Sequence, residues 1–74
     1  MKLFKITTLK DICVAFQHPY DIYEFIVQYI FNENVRECSW QAHSEAENAQ
    51  AWCELACIGD EYDGGEFTIE CIEV

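Results

Sequence analysis

The segment GDEYDGGEF, Gly59 to Phe67, places Asp60, Glu61, Asp63 and Glu66 in one short stretch with no lysine or arginine among them. Carboxylates this close can hold a cation, stand in water as an ordinary turn, or offer negative charge to a basic partner. A helix–loop–helix calcium site needs oxygen ligands at alternating positions, a glycine at the sixth and a glutamate at the twelfth. The spacing here is irregular, and a strand-like sequence follows where a second helix is required. The stretch is therefore not a dedicated calcium loop.

Cysteine and histidine raise a second possibility. Cys13–His18 and Cys38–His43 both read Cys-x4-His, and both precede a helical pattern. They could be a faint duplicated strand–helix unit, a coincidence, or a Cys2His2 zinc set of Cys13, His18, Cys38 and His43. Residues five apart on a strand point to opposite faces, and zinc sites favour Cys-x2–4-Cys spacing, so no metal is expected. A Cys/His dyad built from Cys13 or Cys38 lacks any visible orienting group. P-loop, dinucleotide-binding and nucleophile-elbow motifs do not occur. The expectation is a protein that is not an enzyme and needs no cofactor.

These residues must be positioned by a small scaffold. Alternating apolar residues predict strands over Lys2–Thr7, Ile12–Gln17, Val35–His43 and Glu66–Val74, the first two joined by the polar TLKD. In the third, Cys38, Trp40 and Ala42 share a face; in the last, Phe67, Ile69 and Cys71 do. Pro19 opens a helix to Asn32, with Asp21 and Glu24 near its positive end and Ile22, Phe25, Ile26, Tyr29 and Ile30 as its core stripe. Ser44 and Glu47 have capping-box spacing. They start a second helix that buries Ala49, Trp52, Cys53, Ala56 and Cys57 and stops at Gly59. The fold expected is α+β in the order β-β-α-β-α-β: a four-stranded sheet with two helices on one face, one domain over residues 1–74, and right-handed strand–helix–strand crossovers.

Half the residues are apolar, so the 74-residue chain can form a core, but a deep active-site cavity is not expected at this size. Fourteen acids face four bases, for a net charge of −10. Through Arg36 the charges cancel; from Glu37 onward there are ten acids and no lysine or arginine. So few bases argue against direct nucleic-acid binding. The five cysteines, an odd number without a secretory leader, are read as reduced, mostly buried residues in a cytosol. No apolar run is long enough for a membrane span.

Two binding surfaces follow. Glu47 and Glu54 fall about 10 Å apart on the outer face of the second helix; Glu66 and Glu70 fall about 13 Å apart on the outer face of the last strand. With Asp60, Glu61 and Asp63 between them, these carboxylates are expected to crowd one end and side of the domain. There they would imitate the phosphates of a nucleic acid and occupy a basic groove of a nucleic-acid-binding protein. The rival surface is aromatic. Tyr20, Tyr23, Val27 and Phe31 widen the apolar arc of the first helix to roughly 240°, well beyond one packing face, and Tyr20, Tyr23 and Phe31 could join a homodimer or partner, leaving the charge to serve solubility.

In size, acidity and its strand–capped helix–strand ending, CSWQAHSEAENAQAWCELACIGDEYDGGEFTIECIEV, the chain resembles the small phage-encoded anti-defence proteins, anti-CRISPR inhibitors in particular. The resemblance implies a stoichiometric inhibitor in the bacterial host cytosol that covers a nucleic-acid or partner-docking surface of a defence complex.

Overall fold

A computed structural model describes every residue from Met1 to Val74. The elements run β1 (Lys2–Thr8), β2 (Cys13–Phe16), α1 (Pro19–Phe25), a π turn (Ile26–Ile30), α2 (Trp40–Leu55), β3 (Glu61–Asp63) and β4 (Phe67–Glu73). The protein is α+β, as its sequence indicates, with one sheet in the order β2-β1-β4-β3. Every strand pair is antiparallel, so the expected right-handed crossovers between parallel strands do not form; one helical connection carries the chain from β2 at one edge of the sheet to β3 at the other.

Side-chain alternation gives the sheet two unlike faces. Phe4, Ile6, Phe67, Ile69 and Cys71 are buried beneath the helices. The open face carries Lys5 and Thr7 of β1, Cys13 and Ala15 of β2, Thr68 and Glu70 of β4, and Glu61 and Asp63 of β3 in register. Burying one face is what the expected β4 pattern required.

The first helix begins at Pro19, where a missing N–H costs nothing, and holds Asp21 in its first turn. Past Phe25 it widens: the Phe31 N–H donates to the Ile26 carbonyl, an i→i+5 bond of 3.1 Å. The added residue turns the apolar stripe. Ile22, Ile26 and Val27 are fully buried, whereas Tyr29, expected in the core, is 69% exposed. Asn32 then takes a left-handed conformation (φ 55°), which its short polar side chain tolerates.

The expected strand Val35–His43 does not form. Its first half is a connection, and its second half opens α2 at Trp40. The cap is Ser39, not Ser44: its hydroxyl accepts the Ala42 N–H at 3.2 Å. Glu33 in turn accepts from both the N–H and the hydroxyl of Ser39, fixing the cap from across the connection. Local capping outweighs a short alternation that no strand pairing holds in place. The missing strand is replaced by β3, which lies inside the acidic stretch and pairs with β4. With Cys13 in a strand and Cys38 in a connection, the two Cys-x4-His segments are not a structural repeat.

Helix α2 buries Ala42, Ala46, Ala49 and Cys53. Trp52 is half-buried, its ring 5.5 Å from that of Tyr62. The helix ends at Leu55, so Cys57 lies beyond it and is exposed, and Gly59 (φ 98°) serves the following turn.

Candidate functional site: an acidic hairpin and a tyrosine–histidine tie

The β3–β4 hairpin and the turn before it collect Asp60, Glu61, Asp63, Glu66 and Glu70. Glu61 and Glu70 are direct cross-strand partners on the open face, a pairing of like charges that destabilises a sheet. Lys5 of β1, on the far side of Glu70, reaches it at 3.3 Å and leaves Glu61 without a cation. Two other carboxylates are fixed by backbone donors: Asp60 accepts the Cys57 N–H and Asp63 the Gly65 N–H, each at 2.9 Å. Both are negative charges held in place by the turns they shape.

The expected acidic surface is not continuous. Glu47 and Glu54 are exposed on α2, in the layer on the other side of the sheet from Glu61, Asp63 and Glu70. Glu47 pairs with His43 one turn away, and Glu54 borders a groove with His18 and Pro19. Glu66, just before β4, lines a cavity of about 230 Å³ with Leu9, Ile12, Tyr29 and Ile30. Sequence spacing gives each pair's separation but not which side of the sheet α2 takes.

The aromatic surface is dismantled further. Tyr23 is only 8% exposed and Phe31 packs half-buried against the core, so of the expected trio only Tyr20 presents a large surface, at 50% exposure. A crowded small core took the other two.

Tyr23 instead anchors a chain of polar contacts between the helices. Its hydroxyl lies 2.9 Å from His43 Nδ1 and 4.0 Å from Cys38 Sγ, while His43 Nε2 is 3.4 Å from a Glu47 oxygen. A neutral imidazole protonated on Nε2 satisfies both neighbours, donating to Glu47 and accepting the phenolic hydrogen. Burial, with Cys38 adding to it, pushes the Tyr23 phenol above its ordinary value near 10, so the hydroxyl stays protonated. Glu47 is the orienting group that sequence could not supply for a Cys38/His43 dyad. Yet Tyr23 stands between thiol and imidazole, and no surface groove is lined by Cys38 or His43. The chain is a tie joining α1, the connection and α2.

No group of three or more histidine, cysteine or acidic residues is arranged to hold a metal ion. Of the Cys2His2 alternative, Cys38 and His43 meet at Tyr23, His18 precedes α1 without a capping bond from its side chain, and Cys13 lies on β2 beside Thr7.

The cysteines divide by environment. Cys13 and Cys57 are exposed, contrary to the expectation of mostly buried thiols; Cys53 and Cys71 are buried. Burial pushes the Cys53 thiol up to about 12, from an ordinary value near 9. Because the folded state raises this value, its stability is intact below about pH 9 and declines as pH climbs toward 12. Brief alkylation at mildly alkaline pH should label Cys13 and Cys57 and spare Cys53 and Cys71, as peptide mass spectrometry would read. Equal labelling of Cys53 and Cys57 would contradict this account.

No helix is long and apolar enough to cross a membrane. Compared with known proteins, the chain matches no family model, no curated protein and no solved structure.

Proposed function

We propose that this protein is a non-catalytic inhibitor of the anti-CRISPR kind, which docks its β3–β4 hairpin on the basic surface of a nucleic-acid-binding protein. The observation that carries the reading is the opposed pair Glu61 and Glu70, served by one lysine. An arginine or lysine inserted beside Glu61 relieves a repulsion that the free protein must bear, so binding gains what folding gave up. Glu61 and Asp63 share a face about 7 Å apart, roughly two steps of the 3.4 Å phosphate rise along one strand of DNA. Asp60 and Asp63 are held still by backbone donors, which reduces the ordering cost of docking. Glu47 and Glu54 lie outside this footprint, on the helical layer.

The test separates binding from folding. Glu61→Lys places a cation opposite Glu70, so stability should hold or rise by about 0.2–1 kcal/mol, while binding collapses. Protein immobilised at low salt and exposed to bacterial lysate should retain nucleic-acid-binding proteins that elute at moderate salt. Double-stranded DNA should compete them off, and the Glu61→Lys variant should not retain them. Equal retention by that variant, or indifference to DNA, would refute the proposal. Salt-insensitive retention lost on replacing Tyr20 would transfer the function to the helical layer.

A further inference from the structure

We infer that a second copy of this chain pairs with β2, joining the two sheets edge to edge about a twofold axis at Val14. The sheet has two free edges, β2 and β3, and they are treated differently. β3 is three residues long and carries Glu61 and Asp63, so a second β3 would meet like charge. The β2 edge has no such guard. Ile12 to Gln17, ICVAFQ, contains no charge and no proline, and natural sheets normally protect an exposed edge with one or the other.

The backbone limits the register. The Thr8 N–H donates to the Ile12 carbonyl at 2.9 Å, so Ile12 is in a hydrogen-bonded position of the β1–β2 hairpin. Antiparallel pairs alternate. Val14 and Phe16 therefore direct their N–H and C=O toward β1, and Cys13 and Ala15 direct theirs outward. A twofold axis at Val14 sets Cys13 against Ala15 of the partner subunit, and Ala15 against Cys13 of the partner subunit, each residue both donating and accepting. Moving the axis to Cys13 would recruit Asp11, whose φ of 63° is not extended.

Side chains on the helical side fit the same register. Ile12, 46% exposed, meets Phe16 of the partner subunit, and Val14 meets its own counterpart. Beside them is a groove of about 170 Å³ lined by Phe16, Phe25 and Tyr29, rimmed by Asp21, Glu24 and Gln28. Tyr29 stacks on Phe25 at 5.0 Å and is exposed only because the π turn rotates it out of the core. The pairing gives that local widening a purpose, since such insertions are common at functional positions.

Charge selects a second copy as the occupant. Residues up to Arg36, which include β1, β2 and the first helix, carry no net charge. β3 is at the opposite edge of the sheet from β2. Pairing through β2 sets two uncharged strands together and points the acidic hairpins away from one another, an arrangement that a protein of net charge −10 bears better than pairing through β3.

Sedimentation over a concentration series tests this directly. The intact protein should pass from 8.7 kDa toward twice that mass as concentration rises. Ala15→Pro removes an outward N–H that the monomer does not use, a change tolerated on edge strands, and should remain at 8.7 kDa with an unchanged circular dichroism spectrum. Ala15→Lys should do the same, and Glu61→Lys should still dimerise. Amide exchange at Cys13 and Ala15 should slow as the dimer forms. A monomer at every concentration overturns the inference, as does a dimer that persists in both Ala15 variants. A dimer dissolved by Tyr29→Ser yet untouched at Ala15 places the contact on the helices and overturns the strand pairing.

Discussion

Ile26→Ala is expected to lower the free energy of unfolding by about 2–5 kcal/mol, the range for emptying a well-packed aliphatic site. Ile26 is fully buried where α1 widens into the π turn, among Ile22, Phe25 and Val27 and within the cluster that joins the helices to β1 and β4. Two constraints keep the cavity from closing. The backbone there is held by the i→i+5 bond from Phe31, and the facing α2 residues Ala46 and Ala49 have no length to extend into the space. Small domains have total stabilities near the lower end of about 5–15 kcal/mol, so a loss at the top of the expected range would leave about half of the variant population unfolded at room temperature. Urea titration followed by circular dichroism gives the number. Tyr29→Ser, at an exposed position on the same π turn, is the control and should barely move the midpoint. A loss under about 1 kcal/mol at Ile26 would show that the core collapses around the gap.

Gly64→Ala should be the most damaging small change in the acidic hairpin. A methyl group on Gly64 would run into the ring of Phe67. That ring cannot retreat, since Phe67 is 2% exposed and stacked beside Tyr62. Overpacking of this kind costs about 1–3 kcal/mol. The strain falls on the bond from the Gly64 N–H to the Phe67 carbonyl, 2.9 Å long, which closes the turn. Thermal melting should show the loss, and hydrogen exchange should show β3 released before the rest of the sheet. A melting curve identical to that of the parent would mean the turn has another conformation available to it. The neighbouring Gly65 is needed for a different reason, its φ of 88°, with open space around it.

How legible these features are in sequence depends on which force dominates locally. β1, β2, β4 and the opening of α1 follow from alternation and from Pro19, because in each the local pattern and the tertiary environment agree. Residues 35–43 read as a strand since Val35, Cys38, Trp40 and Ala42 resemble a half-buried pattern. The deciding interaction is Glu33 reaching Ser39, a contact across six residues that periodicity does not encode. β3 reads as an acidic loop for the complementary reason. Glu61 and Asp63 have poor intrinsic strand preference, and pairing with β4 imposes their conformation. The candidate site divides the same way. The clustering of Asp60, Glu61, Asp63 and Glu66 is visible in the chain, but the opposition of Glu61 to Glu70 requires β3, and the Glu47–His43–Tyr23 tie requires α1 and α2 side by side. A helix widened by one residue leaves no mark in a 3.6-residue pattern except an aromatic too many, and Tyr29 was that residue.

The central strand pair also has a kinetic consequence. β1 and β4 run antiparallel along their whole length, Lys2 opposite Glu73 and Thr8 opposite Phe67, so the middle of the sheet joins segments at opposite ends of the chain. The β1–β2 and β3–β4 hairpins are local and can form early, but neither is stable alone. During synthesis, a nascent chain that has emerged only through α2 has no β4 to place beside β1. Until then β1 offers its apolar face and an unpaired edge to chaperones or to other nascent chains. Folding to the native sheet therefore waits until β4 has emerged, and is governed by the slow closure of the long loop between β1 and β4.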